Sequence, residues 1–459
     1  MNRYLQEWYD LKTDEVRKVI HSIWEHPEIC FQEQFATEAV RAFVANEGYD
    51  EILVRDVRDF KNTETATPNS VIAVYGSGHP VIAIVGELDA LPGLQQDAVP
   101  YKSVGAGAGH GCGHCLMAGG AMAAASALRY AMEKEGLKGT VKLIEAPAEE
   151  GGCGKGWLVA NGVFDDVDMA LMWHSSLVPL NFSPTASMSV YDVDFEFFGK
   201  SAHAAGMPEN GRSALDAVQL MNIGIEFMRE HVNQNVRMHY NITSGGAAAN
   251  IVPDYASVHY MFRSSSGDED AREVFERGLK VAQGAALMTE TQMKYKITSL
   301  LPHQYYNLPL CRFMDQAVPE VPPLTFTEEE YAFARELWEN TMGKPAPEDP
   351  EKVLNTKFLP YTDTVDESFS SCTDAAIMSH VVPTVHYHGS GRLAGTPGHH
   401  WNITSTSGMS IGEKGGIYAY SVLAQGAYNV LTHPEVTKEF WDYQKSLNIP
   451  PYEFFETIN

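Results

Sequence analysis

The sequence is poor in cysteine, in basic residues and in long apolar runs, and each shortage excludes a class of protein. Six cysteines in 459 residues are too few for a disulfide framework. Lys and Arg number 33 against 59 Asp and Glu, and this net charge of −26 argues against nucleic acid and anionic membranes as partners. The most apolar stretch, residues 116–128, is shorter than the ~20 residues that span a bilayer. The first residues also lack the apolar segment of a signal peptide, so we expect a cytoplasmic location.

Short apolar runs that alternate with helical segments predict the main fold. Runs rich in β-branched and apolar residues occur at residues 71–75, 81–85, 141–144, 169–173 and 381–387. Continuous apolar strands separated by helices are typical of a mostly parallel sheet that is buried on both faces. We therefore expect an α/β domain whose central sheet is flanked by helices.

The middle of the chain has a different period and predicts a second domain. Residues 186–302 show strands and helices in the order β-α-β-β-α-β, which is typical of a ferredoxin-like α+β fold. Since single cores stop growing near ~250–300 residues, a chain of 459 residues suits two domains. We expect the ferredoxin-like domain to be inserted into a discontinuous larger domain, residues 1–185 and 303–459. The Pro- and Glu-rich stretch of residues 318–350 is expected at the surface.

Residues with metal-ligand chemistry follow several predicted strands, where open α/β sheets bind their ligands. They are one cysteine, three histidines and one glutamate: Cys112, His114, Glu150, His174 and His399. A thiolate, imidazoles and a carboxylate suit Zn²⁺, Mn²⁺ or Co²⁺. Since a structural zinc site is closed by four ligands, five ligands with a further carboxylate nearby predict an open, catalytic pair of ions.

The adjacent residues Glu149 and Glu150 offer two carboxylates for two tasks. At the end of a strand, neighbouring side chains point to opposite faces of the sheet. One carboxylate can therefore bind a metal ion while the other faces the substrate water. A carboxylate held beside a metal-bound water is the usual general base of a metallohydrolase.

Each of these signals also has a plainer interpretation. A pair of glutamates is most often solvated surface, and a lone histidine such as His174 is more often a hydrogen-bonded core residue. His203 could be a simple cap residue. Cys112 and Cys115 form a C-x-x-C pair, so a redox function is an alternative, although the flanking Trp and Pro of redox motifs are missing. The order and placement of the signals together favour the metal site.

Segments along most of the chain resemble one family in sequence and in order. They include ELDALPG at residues 87–93, GHGCGHC at 109–115, PAEEGG at 147–152, GKSAHAAG at 199–206 and TPGHHW at 396–401. The chain resembles the metal-dependent aminoacylase and carboxypeptidase-type amidohydrolases. Within that family it is most similar to the branch of aminobenzoyl-glutamate hydrolases and indole-acetyl-amino-acid hydrolases.

The resemblance implies a role for each candidate residue of the predicted larger domain. Cys112 should bridge two divalent metal ions, zinc or manganese with cobalt as a further option. The other four candidate ligands should complete the coordination of these ions. Glu149 should act as the general base and then as the acid, and Asp89 should orient a metal ligand.

Three further residues belong to the predicted inserted domain, which the family uses as a lid and for dimerisation. The resemblance implies that His203 stabilises the oxyanion, in relatives often across a dimer. It also implies that Asn250 and Arg263 hold the carboxylate of the substrate, a task that suits the bidentate fork of a guanidinium group. We accordingly expect a homodimer formed through the inserted domain.

The activity implied is metal-dependent hydrolysis of the amide bond of an N-acyl or N-aroyl amino acid or of a dipeptide, with aminobenzoyl-glutamate as the best single substrate. The alternative is a non-catalytic or partner subunit of a heteromeric hydrolase on the same scaffold. Two positions depart from the family, and residues 371–379, which resemble a family stretch at the end of the substrate pocket, lack the usual Gly-Asp after the Asp. Cys115 stands where Asp or Asn is common, and His400 is a second histidine beside the expected ligand His399.

Overall fold

The computed structural model describes residues 1–176 and 180–457, with the backbone alone for residues 368–371. Contacts divide the chain into two compact units. The first contains the described residues of 1–184, 305–366 and 378–451, and the second those of 185–304, 367–377 and 452 onward. The division into a larger domain and an insertion at residues 186–302 stays a prediction, because compactness does not show which segments fold independently.

The helices follow one another along the chain. They are α1 (Arg3–Glu25), α2 (Gln34–Val44), α3 (His114–Glu135), α4 (Gly154–Ala160), α5 (Ala214–Met228), α6 (Asp268–Thr289), α7 (Leu308–Asp315), α8 (Glu328–Met342), α9 (Ala375–Val381), α10 (Trp401–Ser407), α11 (Ser410–Thr432) and α12 (Thr437–Ser446). Among the described residues, none of these helices combines the length and the apolar character needed to cross a membrane.

The strands are numbered in the same way. They are β1 (Glu51–Arg55), β2 (Ser70–Ser77), β3 (Val81–Glu87), β4 (Gly139–Ala146), β5 (Met169–His174), β6 (Thr185–Ser187), β7 (Ser189–Phe198), β8 (Val236–Ser244), β9 (Tyr255–Ser264), β10 (Gln292–Leu301), β11 (Asp366–Ser371) and β12 (Thr384–His388).

The main sheet lies in the first unit and has the strand order β1-β2-β4-β3-β5-β12. Strand β3 pairs in parallel with β4 and β5, and β12 pairs in parallel with β5, whereas β2 runs against both of its neighbours. Every residue of β3 and β4 is buried, which explains the apolar run of β3, whereas β4 also buries Lys142 and Glu145. The predicted mostly parallel sheet flanked by helices is confirmed. The carboxyl ends of β3, β4 and β5 therefore lie along the same edge.

Two details of this sheet differ from the sequence prediction. The edge strand β1 was not predicted. Its apolar run is only three residues long, Ile52 to Val54, and these residues are half-buried. The run predicted as a strand from residue 381 begins as one only at Thr384, because Val381 ends helix α9.

Helix α3 packs against the sheet and against α1 and α11. Two glycines make this approach possible, because a Cβ at Gly119 would lie 2.1 Å from Ile20 Cγ1 and one at Gly120 would lie 2.3 Å from Tyr420 Cδ2. His114 is the first residue of α3, and Cys112 precedes the helix by two residues. The close packing of α3 therefore fixes the position of two candidate metal ligands.

The sheet of the second unit has the order β10-β7-β9-β8, with every pairing antiparallel. Together with helices α5 and α6, it gives the chain order β-α-β-β-α-β that the sequence predicted. Val193, Phe195 and Phe197 alternate along β7 and are fully buried, whereas the residues between them are more exposed. The ferredoxin-like α+β arrangement is confirmed, and its core follows from this period of two.

The expectation that residues 318–350 form polar surface is wrong for helix α8. A capping box between Thr327 and Glu330 begins the helix. Ala334, Leu337 and Trp338 lie on one face of it and are buried in a core that also contains Leu393 and Trp401. The many acidic residues of the segment concealed this apolar face.

Replacing Gly120 by alanine should destabilise the protein by about 1–3 kcal/mol, because the added methyl group collides with the ring of Tyr420. Chemical denaturation of the variant and the wild type measures the difference. The matched control is Gly284→Ala on α6, where no atom lies within 4 Å of the added Cβ and a helical alanine should be neutral or stabilising. Equal stability of Gly120→Ala and the wild type would contradict the packing described.

Candidate metal centre

The five predicted metal ligands come from turns and strand ends of the first unit. Each lies at the carboxyl end of a parallel strand or at the start of a helix. Cys112 lies in the turn before α3, His114 begins α3, Glu150 lies in the turn after β4, His174 ends β5, and His399 lies in the turn before α10. Four of them are buried or half-buried, and His399 is the exposed one, with 59 % of its side chain accessible. The structure brings all five together.

The ligand atoms form two overlapping clusters that share Cys112. In the first, Cys112 meets His114 and His174, and in the second it meets Glu150 and His399, with all ligand atoms of a cluster within 4.8 Å of one another. The Cys112 Sγ lies 3.5 Å from His174 Nε2. The His399 Nε2 lies 3.4 Å from Glu150 Oε2. This arrangement offers two adjacent positions for ions, with one sulfur between them.

Buried polar atoms in these clusters fit a metal ion. Glu150 Oε1 is buried and has no hydrogen-bond partner within the described part of the chain. His114 Nε2 is buried 3.9 Å from this oxygen and 3.0 Å from Glu87 Oε2. Orphaned polar atoms are rare in folded proteins because their desolvation is costly. A divalent ion would satisfy both atoms, and the donor set of sulfur, nitrogen and oxygen suits zinc, manganese or cobalt.

Two histidine rings are oriented by contacts at their Nδ1 atoms. His114 Nδ1 lies 3.0 Å from Asp89 Oδ1, and His174 Nδ1 lies 2.7 Å from the carbonyl oxygen of Ser175. Each contact leaves Nε2 of the ring facing the cluster, as metal-binding histidines require. The other oxygen of Asp89 accepts a hydrogen bond of 2.9 Å from the backbone N–H of Glu150. Asp89 thus holds two candidate ligands at once, which suits its predicted orienting role.

An arginine that the sequence did not point to supports Cys112. The Arg392 guanidinium donates from Nη2 to the sulfur at 3.2 Å and to the carbonyl oxygen of Cys112, and from Nε to Ser175 Oγ at 2.8 Å. Burial raises the pKa of the Cys112 thiol, but the charges of Arg392, His174 and His114 outweigh this effect and hold the pKa well below its ordinary value. Cys112 is therefore a thiolate, the form that binds metals.

The adjacent glutamates face different neighbours, though not for the predicted reason. Strand β4 ends at Ala146, and both glutamates lie in a turn in which Ala148 has a left-handed backbone with φ of 55°. Glu150 joins Cys112 and His399, whereas Glu149 lies with His114 and a second carboxylate, that of Glu87. The separation of the two carboxylates comes from this turn, because the strand ends before them.

The two positions that depart from the family are clearly placed. His399 has a left-handed backbone with φ of 45° and faces Glu150, whereas His400 Nδ1 lies 2.9 Å from Asn402 Oδ1. The ligand clusters contain His399 and leave out His400. Cys115 is fully buried on α3, where burial raises the pKa of its thiol. Cys112 belongs to both ligand clusters of the described residues and Cys115 to neither, so the arrangement favours the metal site over a redox pair.

The predicted residues of the second unit form one pair and one separate residue. His203 and Asn250 are neighbours, since the backbone N–H of Ala204 donates to the carbonyl oxygen of Asn250 at 3.1 Å. The Nδ1 of His203 accepts from the N–H groups of Ala205 and Gly206 at 3.2 and 3.0 Å. The proton of the neutral ring therefore lies on Nε2, which makes this atom a hydrogen-bond donor.

Arg263 is not part of that pair. Arg263 lies on β9, eight residues after Tyr255. Tyr255 begins this strand and is therefore the strand residue closest in sequence to Asn250. Eight residues of extended strand span about 26 Å. Its Nη2 contacts the sulfur of Met261, and its Nε is buried with no hydrogen-bond partner among residues 1–176 and 180–457. The roles of His203, Asn250 and Arg263 in substrate binding stay predictions.

A mostly parallel α/β sheet that carries a double cluster of metal ligands at its carboxyl edge is typical of a metal-dependent hydrolase. The sequence profile of peptidase family M20/M25/M40 matches residues 83–413. The chain belongs to this family.

Individual relatives agree with this assignment. The chain is 33 % identical to a p-aminobenzoyl-glutamate hydrolase subunit of Escherichia coli over 98 % of this chain and 96 % of the relative. It is 30 % identical to Xaa-Arg dipeptidase of Mus musculus over 67 % of this chain and 68 % of the relative.

A solved structure shares the fold. The crystal structure of a Bacillus subtilis protein described as a dinuclear metal-binding peptidase from the M20 family has a TM-score of 0.57 and 21 % identity, covering 92 % of this chain and 99 % of that one. The predicted resemblance is confirmed: the protein is a metal-dependent enzyme of the amidohydrolase class. The role of each site residue is a separate question.

Metal affinity should fall as the pH falls, because ions and protons compete for the same ligands. Without a bound ion, burial raises the pKa of Glu150, and the charges of Cys112 and Glu149 raise it further. Burial lowers the pKa of His114, but Glu87, Cys112 and Asp89 outweigh this effect and hold the pKa above its ordinary value. Both groups must lose a proton to bind an ion, so affinity should rise about tenfold per pH unit for each proton displaced. Chelator competition at several pH values measures this slope, and an affinity independent of pH would contradict it.

Replacing Arg392 by methionine should raise the pKa of the Cys112 thiol, because a positive charge that contacts the sulfur is removed. Titration of the thiolate absorbance in metal-free protein gives the pKa, and Cys112→Ala identifies the signal. Arg392→Lys is the matched control, since it keeps the charge. An unchanged titration in Arg392→Met would show that the arginine does not hold the thiolate.

Proposed function

We propose that the protein hydrolyses the amide bond of an N-acyl or N-aroyl amino acid with two divalent ions held around Cys112. The observation that carries this proposal is the pair of ligand clusters that share one sulfur, with Glu149 beside them. Five ligands in two groups suit an open, catalytic site better than a closed structural one. The residues His114 and His174 would hold one ion, and Glu150 and His399 the other.

Each residue of the site has a separate role in amide hydrolysis. Bound divalent ions lower the pKa of water and polarise a carbonyl group. Glu149 takes a proton from the attacking water and later gives it to the nitrogen of the leaving amine, so that no proton is gained or lost over the cycle. The Nε2–H of His203 donates a hydrogen bond to the oxyanion that forms on the scissile carbonyl.

The substrate class follows from what the relatives share. One relative is named for p-aminobenzoyl-glutamate and the other for an Xaa-Arg dipeptide. Both names describe an amide whose nitrogen belongs to an amino acid with a carboxylate. We propose p-aminobenzoyl-glutamate as the first substrate to test, with Asn250 holding the substrate carboxylate. Because Arg263 lies at the other end of β9, it would reach the same carboxylate from the second subunit of a homodimer.

The proposal also covers the metal, the oligomeric state and the cellular location. Zinc or manganese would occupy the site, with cobalt as a further option, because the ligands are borderline-soft. The predicted insertion at residues 186–302 would serve as lid and dimerisation domain of a homodimer. Six free cysteines among the described residues suit a reducing, cytoplasmic setting.

A second candidate function has one observation in its favour. The relative that covers 98 % of the chain is named as one subunit of a hydrolase, which raises the prospect of a heteromeric enzyme. In that case this chain would need a partner subunit, or would serve as a non-catalytic partner itself. The complete set of clustered ligands argues for a catalytic chain.

Replacing Glu149 by alanine should lower kcat by about 10²–10⁴, the usual contribution of a general base, while leaving the metal content unchanged. Cys112→Ala should instead lower the amount of bound metal, because both clusters lose their shared atom. The assay is hydrolysis of a panel of N-acyl amino acids, with zinc, manganese and cobalt compared and metal content measured on the same samples. Full activity of Glu149→Ala would refute its role.

The same panel separates the two candidate functions. Activity of the purified chain alone supports a catalytic chain that needs no partner subunit. Stoichiometric metal binding without turnover of any panel substrate would instead favour the heteromeric alternative.

A further inference from the structure

A fully buried ion pair lies beside the candidate metal centre, outside the residues that the sequence predicted. Glu87 is the last residue of β3, and Lys155 lies on the short helix α4. Both side chains are 0 % exposed, and Lys155 Nζ lies 2.5 Å from Glu87 Oε1. Burying both charges is costly and is rarely a gain in stability over apolar side chains. A functional reason for the pair is therefore worth seeking.

The second oxygen of Glu87 faces the metal-binding atom of His114. Glu87 Oε2 lies 3.0 Å from His114 Nε2, whereas His114 Nδ1 is held by Asp89. Two atoms that bind one ion at ~2.1 Å stand about 3.0–3.4 Å apart at octahedral or tetrahedral angles. The observed separation fits two ligands of the same ion, and without an ion it is an ion pair when His114 carries a proton.

Two further observations agree with a ligand role for Glu87. Its Oε2 is buried, and its contact with His114 Nε2 is the one ion pair that this oxygen makes in the part of the chain that the structure describes. The ligand atoms of Glu87, His114 and Glu149 also lie within 4.8 Å of one another, a third group that overlaps the first cluster at His114.

Lys155 leaves the other oxygen of Glu87 available. Its Nζ contacts Oε1, whereas Oε2 faces His114.

We propose that Glu87 is a further ligand of the ion bound by His114, and that Lys155 is a positioning residue. Lys155 holds one carboxylate oxygen so that the other points at the ion. This inference rests on the two-ion site of the proposed function, and it adds a residue and a supporting ion pair to that site.

Glu87→Gln should weaken the binding of one of the two ions by more than about 100-fold, the upper end of what loss of an outer contact costs. Metal content by mass spectrometry and chelator competition measure this loss without any substrate. The cobalt-loaded protein gives a second readout, since loss of a ligand changes the visible absorption spectrum of Co²⁺.

The matched control is Glu145→Gln. Glu145 is also fully buried, on β4, and burial raises its pKa so that the carboxyl is neutral. It belongs to none of the ligand clusters of the described residues, so its replacement by glutamine should leave metal binding within about twofold of the wild type.

A double variant keeps the test clear if Glu87→Gln folds poorly. Lys155→Met combined with Glu87→Gln removes both charges, which avoids a lone buried ion. It should fold and should still lack the tightly bound ion. Suppose that the wild type binds two ions and that Glu87→Gln binds them with equal affinities and gives an unchanged cobalt spectrum. Glu87 would then not be a ligand, although the two-ion site would stand. A wild type that binds no ion would overturn the proposed two-ion site instead.

Discussion

The buried thiolate of Cys112 is the interaction on which the rest of the site depends. A sulfur anion that is almost completely removed from water needs positive partners, and Arg392 supplies one of them at 3.2 Å. The remaining neighbours are two histidines on one side and a glutamate and a histidine on the other. The metal-binding atoms of these groups lie close together, within 4.8 Å of one another in each cluster. Divalent cations would satisfy this chemistry, and the protein is assembled to hold them.

The fold supplies this arrangement through short, rigid connections. Parallel strands bring their carboxyl ends to one edge, so that Glu87 and His174 reach the same place from strands that are neighbours in the sheet. Helix α3 is pressed against α1 and α11 through Gly119 and Gly120, and it presents His114 at its first turn. Around the ligands, Asp89 and Arg392 act as a supporting layer that orients rings and stabilises charge. Precise placement of this kind is what metal-assisted hydrolysis requires.

The sequence predicted the parts of the structure that depend on local pattern. Buried strands are recognisable by their apolar runs. Ligand residues that follow parallel strands meet at one edge of the sheet. The sequence could therefore propose one set of ligands: Cys112, His114, Glu150, His174 and His399. The ferredoxin-like unit was visible because its strands alternate and its helices are amphipathic. Strand β1 was missed because its apolar run is only three residues long. Helix α8 was misread because acidic residues mask its buried face.

Long-range contacts and turn geometry could not be predicted from local sequence pattern. Arg392 contacts Cys112 across 280 residues of sequence, and nothing in its surroundings marks it as a partner. The separation of Glu149 from Glu150 depends on the left-handed backbone at Ala148, which no rule for alanine predicts. The ion pair of Glu87 and Lys155 needs the packing of α4 against the end of β3.

A crystal grown with zinc and measured at the zinc absorption edge tests the central claim most directly. The account predicts two anomalous peaks, each about 2.3 Å from Cys112 Sγ. One peak should lie next to His114 and His174, and the other next to Glu150 and His399. A single peak, or two peaks that do not share the sulfur of Cys112, would contradict the account.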